Sequence, residues 1–420
     1  MFITLALASI ATGKAAPSPP SIRPHLAVHL RPEARVHPGF DAGQDDAQVA
    51  VQQGLRLGAS AAAGPIRARM DVQEVRAWGV RASSASVEPA LGAYQGYVEF
   101  DAGQGYVRVG RQELHWLNGY FLSRAPFNPA GRSFDAVRWH GERDGLDMDL
   151  FLSQLRSSQG FIDGEAPIDV GDWFGGAQTS GSASGTFRPS LFLLGKAGGP
   201  TEAEPDRSDW WVGPGARATL SIDETRLEVD LLTQFGDASG TPRRAYNAIA
   251  RVEQGFGGAA RPGVALRIDQ SSGHACTEAP GAPTCTSEVL REMDLQFGRA
   301  LYLRGMANQV AGTNSRQLAL EAFVRPEDTL RVEIIGSWFR LTDPAGPWVR
   351  NGGQFQGSGW SPGNTEPGLG WELDARVAWR ATPECHIDGG LAWFQPVGVG
   401  AALTGSAPQA YAFTRTRLTF

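Results

Sequence analysis

Lysine is almost absent: of the 38 basic residues only Lys14 and Lys196 are lysine, and the rest are arginine. A genome rich in arginine codons would produce the same excess, so composition alone assigns the arginines no task. The formal charge of -6 gives no reason to expect a nucleic-acid partner. Long apolar runs are missing too. Hydrophobic residues make up 42% of the chain, yet no stretch approaches the roughly eighteen residues that a helical span requires. If the chain lies in a membrane, strands must carry it. Cysteine is down to three residues with no CxxC and no Cys/His cluster, which argues against a structural zinc site, and no cofactor is expected. The histidines (His25, His29, His37, His115, His140, His274 and His386) show no spacing that pairs one with a serine motif. Gly181-Ser-Ala-Ser-Gly185 misses the nucleophile-elbow pattern by one position. Carboxylates are many, but alternating charged faces produce accidental pairs, so an enzyme is not expected.

What is plentiful points to sheet. The chain has 53 glycines, 12 tryptophans and 20 phenylalanines, and its patterns have period two rather than 3.6. The last eleven residues are the plainest case. Ala412, Thr414, Thr416, Leu418 and Phe420 share one face, while Tyr411, Phe413, Arg415, Arg417 and Thr419 share the other. The strand stops on an aromatic residue, as the closing strand of a barrel does when it must pair with the first. Trp371-Glu-Leu-Asp-Ala-Arg-Val-Ala-Trp379 repeats the split: Trp371, Leu373, Ala375, Val377 and Trp379 oppose Glu372, Asp374 and Arg376. The two tryptophans are roughly 26 Å apart along a strand and about 20 Å along a tilted barrel axis, nearly bracketing an apolar band of about 25 Å. Trp371, Trp379 and Phe420 are therefore candidates for an aromatic girdle. The same alternation recurs at 66–73, 226–231, 264–269 and 330–334. A water-filled lumen hydrates such charged faces, whereas a packed soluble core could not.

Residues 1–16 read as a signal-peptide-like leader, with an apolar stretch from Phe2 to Ala11 and small residues after it but no positive start. Residues 17–24 form a proline-rich leader, and 25–420 a single barrel domain in the bacterial outer membrane. Cys276 and Cys285 lie in a Gly/Pro/Thr-rich loop and are expected to form a disulfide, as an exported protein permits. Cys385 is the odd one out. Connections alternate between short and long as bacterial barrels require: 38–48, 77–90 and 115–132 are long, while 63–65, 102–104 and 141–145 are tight. From the other end 395–409 and 342–369 are long, 382–385 and 326–328 short. The middle fits once 270–315 is one long external loop, with Ala300 to Gln309 outside the wall, and a further strand lies within 160–185. The expected fold is all-β, a transmembrane antiparallel β-barrel of about eighteen strands, with sixteen as the runner-up. Asp172-Trp-Phe-Gly-Gly176 reads as an aromatic-tipped loop segment.

The stretch Tyr106-Val-Arg-Val-Gly-Arg-Gln-Glu-Leu114, followed by Gly131-Arg-Ser-Phe-Asp-Ala-Val-Arg-Trp139, resembles the alginate-export family of outer-membrane barrels. Gln53-Gly-Leu-Arg-Leu-Gly58, Val72-Gln-Glu-Val-Arg-Ala-Trp-Gly79, Leu369-Gly-Trp-Glu-Leu-Asp374 and Leu391-Ala-Trp-Phe-Gln-Pro-Val-Gly398 resemble it as well. The resemblance implies an eighteen-stranded barrel with a girdle of luminal arginines that attract an anionic uronate polymer. It assigns Arg56, Arg111 and Arg132 to the basic constriction, with Asp135 and Arg138 beside them in the same motif. Alternation adds Arg376, Arg415 and Arg417 to the luminal path. By alternation alone Arg111 falls in phase with Val107 and Val109 and faces lipid, unless a bulge near Gly110 re-aims it. Three departures set this chain apart from the family pattern. The link Ala381 to Cys385 leaves no room for a long periplasmic plug, His115-Trp116 follows Leu114 where the family has small, glycine-containing sequence, and the luminal faces carry many acids. The expected solute is an anionic oligo- or polysaccharide or a small anion, the expected partners are outer-membrane lipid and the barrel-assembly machinery acting on the last strand. The rival readings are a general or small-solute diffusion porin, and a structural or adhesive barrel with a loop-filled pore.

Overall fold

The computed structural model describes residues 20–420 apart from 38, 41–46, 80–89, 156–171, 182–184, 200–206, 280–284, 286, 295–296, 299–302 and 352. The expected leader at 1–16 lies outside the described residues. The strands are β1 (Ser21–Val36), β2 (Gln48–Ala63), β3 (Ile66–Gly79), β4 (Ala90–Ala102), β5 (Gly105–Gln112), β6 (Phe134–Arg143), β7 (Leu146–Gln154), β8 (Trp173–Gly181) and β9 (Phe187–Gly198). They continue as β10 (Asp209–Ile222), β11 (Thr225–Ala238), β12 (Thr241–Gly255), β13 (Pro262–Ser271), β14 (Ser315–Glu327), β15 (Leu330–Leu341), β16 (Gly368–Arg380), β17 (Cys385–Pro396) and β18 (Gln409–Thr419). One short helix, α1 (Gly398–Thr404), precedes the last strand. Each strand pairs antiparallel with its sequence neighbours, and β1 pairs with β18 from Ala27↔Thr419 to Val36↔Ala410. The eighteen-stranded sheet is thus closed, as the terminal alternation predicts. Phe420 completes the seam: its N–H donates to the Leu26 carbonyl, and the Leu26 N–H returns a bond to Phe420.

The register turns sequence alternation into two surfaces. Outward positions such as Leu57, Met70, Leu152, Leu191, Ile268, Ile334 and Leu391 are exposed, an apolar belt that only lipid would cover. Aromatic residues mark its margins. Trp78, Trp173, Trp210, Trp338 and Trp371 stand exposed at the long-loop end, and Phe100, Phe187, Trp379 and Phe420 at the short-turn end. Trp338 and Trp371 are directly opposed in the β15–β16 register.

The structure departs from the sequence reading in three places. The first strand begins at Ser21, so Pro24 belongs to the wall rather than to a leader. Residues 21–25 pair with β2 but reach past the end of β18, and a proline lacking its N–H is tolerated on such a one-sided edge. Asp172-Trp-Phe-Gly-Gly176 does not tip a loop: Trp173 opens β8, the strand expected within 160–185. Trp173 faces out while Phe174 is buried in the lumen. Finally, the connection between β11 and β12 on the long-loop side is only Ser239-Gly240, with both residues at positive φ. That tight turn is why strand counting fails in the middle of the chain.

Candidate functional site

The barrel's interior is built from the inward faces, and two inward-folded loops divide it. The first is the link between β5 and β6. Leu114, Trp116, Phe121 and Leu122 are buried against the inward Phe134, Phe151, Phe174, Phe192, Leu194 and Trp211. Trp116 meets Phe151 edge-on at 5.0 Å, and Phe121 meets Phe192 at 5.7 Å. From there the loop crosses to the opposite wall. The Arg31 guanidinium lies 4.0 Å from the Phe127 ring centroid and donates to the Phe127 carbonyl at 2.6 Å. Arg415 donates to the Pro126 carbonyl at 2.9 Å. Apolar burial fixes one end of the loop and arginine donors fix the other.

The second is the long link between β13 and β14. A Cys276–Cys285 disulfide closes its first part, with Cα atoms 5.2 Å apart. Its later part turns inward: Met306, Ala307 and Val310 are buried with Phe339, Phe394, Tyr411 and Phe413. The Ala307 N–H donates to Glu372 Oε1 at 2.9 Å, and Arg35 donates to the Ala307 carbonyl at 2.7 Å. Met306 fills the slot left by Gly390, where a Cβ would lie 2.6 Å from its sulfur. The two loops touch, since the Ser123 N–H donates to the Phe297 carbonyl.

Charge is unevenly distributed on the walls. From β10 to β16 nearly every inward arginine meets carboxylates. Arg217 bonds Asp230 at 2.9 Å and Glu228 at 3.0 Å, Arg251 bonds Glu253 and Glu321 at 2.6 and 2.7 Å, and Arg376 bonds Glu333 at 2.8 Å. Arg304, carried by the second loop, bonds Asp269 at 2.7 Å. This wall is a compensated ladder. Across the lumen, a cavity of about 330 Å³ is lined by four arginines, Arg56, Arg69, Arg124 and Arg417, against two carboxylates, Asp71 and Glu113, with His25 and His29 beside them. Arg69 takes Asp71 at 2.7 Å, and Arg124 takes Glu113 at 3.1 Å. Arg56 has no carboxylate partner among the described residues. Its guanidinium lies 3.5 Å from the Tyr94 ring centroid, with Nε donating to Gln73 and Nη2 to the Pro129 carbonyl, both at 3.1 Å. Two features of the neighbouring backbone let it sit there. The β3–β4 register shifts between Asp71 and Val72, leaving Tyr94 as the extra residue. Gly131 has φ +63°, and a Cβ there would lie 2.6 Å from both Arg56 Nη2 and the Tyr94 hydroxyl.

The arginines expected along the path fall into distinct places. Arg56 and Arg417 line this cavity. Arg415 is buried beside it, held by both oxygens of Asp388 at 2.7 and 2.9 Å. Arg138 faces inward and is clamped on Asp149, and Arg376 sits on the compensated wall. Arg132 is packed between the loops, donating to the Ser123 carbonyl at 3.2 Å, and burial lowers its pKa to about 10. Arg111 and Asp135 are corrections. They are opposed in the β5–β6 register and bonded twice at 2.8 Å, in phase with the exposed Val109 and Val137. Gly110 has positive φ, but the β5 pairing carries no register shift, so nothing re-aims Arg111 inward. The pair is an outer-wall clasp near the long-loop rim. The alternation at 66–73 already put Arg69 on the charged face, and the structure keeps it there. Sequence reasoning missed Arg31, Arg35 and Arg124: the first two were hidden because Pro24 and Pro32 mask the first strand's alternation, and the last lay outside every quoted motif.

A family model described as "Alginate export" matches residues 26–413. A comparison with curated proteins finds no match. Among solved structures, Pseudomonas aeruginosa OpdL superposes with a TM-score of 0.60 at 12% identity, covering 95% of this chain and 98% of that one. OpdK of the same organism, solved with vanillate, gives 0.59 at 11% identity over 94% and 99%. OccK5 (OpdH), also from that organism, gives 0.56 at 10% identity over 94% and 98%. At such identities the likeness speaks for the barrel fold alone.

Proposed function

The chain belongs to the alginate-export family and is an outer-membrane channel of porin type, and from that premise we propose that it passes small carboxylate-bearing solutes along the arginine side of its lumen. The observation that carries this reading is the cavity at Arg56, where four arginines meet two carboxylates. A guanidinium offers a planar fork that matches a carboxylate and stays charged at any physiological pH. Because Arg56 is held by neutral partners, a solute carboxylate does not have to displace an internal acid. The inward loops favour small solutes over a bulky polymer, since residues of both, such as Phe121 and Met306, are buried against the inward faces of the wall. That OpdK was solved with vanillate, an aromatic carboxylate, accords with a small acid as solute.

Export of an alginate-like polyuronate is the second reading, favoured by family membership. It requires the loops to swing aside. For either solute, weak and successive arginine contacts allow movement, because a site that binds too tightly blocks flux. The closing strand β18, paired with both β17 and β1, is the element this reading offers to the barrel-assembly machinery during insertion. Liposome swelling tests the solute class: glucuronate should enter faster than glucose, a neutral sugar of the same size. Equal rates would favour a general diffusion porin. Faster swelling in glucuronate, combined with exclusion of polyuronate chains, would set aside the polymer reading.

A further inference from the structure

Among the described residues, a pair of like charges on the outer wall faces no carboxylate. Arg316 on β14 and Arg340 on β15 are directly opposed in the register. Arg316 shares the face of exposed Leu318 and Leu320, and Arg340 that of exposed Trp338 and Ile334, so both side chains leave the outer wall. Like charges at opposed positions repel. Neither has a carboxylate within 4.0 Å among the described residues. Their flanks are neutral: Gln270 stands opposite Arg316 and gives its amide hydrogen to the Tyr246 hydroxyl at 2.6 Å, while Gly368 stands opposite Arg340 and brings no side chain.

Height identifies the occupant. The next outward pair towards the membrane middle is Leu318↔Trp338, and Trp338 belongs to the aromatic margin with Trp371. Two residues of strand rise about 7 Å, which puts the guanidinium groups at the level of lipid headgroups on the long-loop, extracellular side. We propose that Arg316 and Arg340 form a clamp for the phosphate of a lipid A headgroup in the outer leaflet. Paired guanidinium forks suit a phosphate and relieve the repulsion between the two arginines. Lipid is the source, rather than free phosphate, because acyl chains would lie on Leu318, Leu320 and Ile334 directly beneath the clamp. The inference is independent of what passes through the lumen.

The test is a titration of the detergent-purified barrel with diphosphoryl lipid A, read by native mass spectrometry. Wild-type protein should hold one lipid tightly, and R316Q/R340Q should bind it about tenfold or more weaker. R261Q, at the short-turn end beside Asp328, should match wild type. Millimolar pyrophosphate should not displace the lipid. Binding by the double variant within twofold of wild type would overturn the proposal, and so would displacement by pyrophosphate, which marks a plain anion site. The single variants R316Q and R340Q, each expected to lose several-fold, keep the test decisive if the double variant does not refold.

Discussion

Replacing Arg56 by alanine should weaken carboxylate binding in the channel, while replacing Arg111 by alanine should not. The two residues come from two family-like motifs and both sit on strands, but they point to opposite sides of the wall. In a cavity of about 330 Å³ a solute carboxylate cannot lie far from the Arg56 guanidinium. Two unit charges about 4 Å apart interact by about 1 kcal/mol in bulk water and about 4 kcal/mol at an effective dielectric constant near 20. A hydrated lumen lies towards the lower figure, and 0.1 M salt screens over about 10 Å. A loss of roughly 1–2 kcal/mol follows, or about five- to thirty-fold in affinity. The assay is block of single-channel current by glucuronate in planar bilayers. The half-blocking concentration should rise by that factor in R56A and by less than about twofold in R111A. Arg56→Lys should fall between, since it keeps the charge and loses the fork. If R56A and R111A behave alike, the luminal assignment of Arg56 is wrong.

Met306→Ala should undock the second loop at a cost of about 2–5 kcal/mol, as for other buried large-to-small changes, and raise single-channel conductance while leaving heat-modifiability intact. Reducing the Cys276–Cys285 bond should speed proteolysis within 272–314 without lowering the barrel's melting temperature, because the bridge closes only a short loop. Burial raises the pKa of Glu292, on the same loop, to about 7. Its docking is therefore fully stable below the ordinary value of 4.5 and weakens as pH rises through about 7. Open-channel noise should accordingly grow between pH 5 and pH 8 in wild type and stay flat in E292Q.

The wall was legible in the sequence because a barrel writes itself in period two: Trp371 to Trp379 and Tyr411 to Phe420 each display both faces, and the register keeps every residue where alternation puts it. Legibility failed where something other than alternation decides. Ser239-Gly240 makes a long-loop-side turn as tight as a periplasmic one, so loop length misled the count. Arg111 is a lesson of the opposite kind. Its phase pointed outward, the motif pointed inward, and the pleat is what the β5–β6 pairing obeys. The site was only partly readable, since Arg56 owes its surroundings to Pro129, Gly131 and Tyr94. Those contacts form when a loop folds back across the lumen and when a bulge re-aims one tyrosine. Neither leaves a periodic trace.

The central claim is that the lumen favours anions because its arginines are unevenly compensated. The reversal potential of the wild-type channel across a tenfold KCl gradient tests it most directly. A sign showing preferential chloride passage, reduced in R56A, is the result the structure predicts. A reversal potential at zero, or one showing preference for potassium, would contradict it.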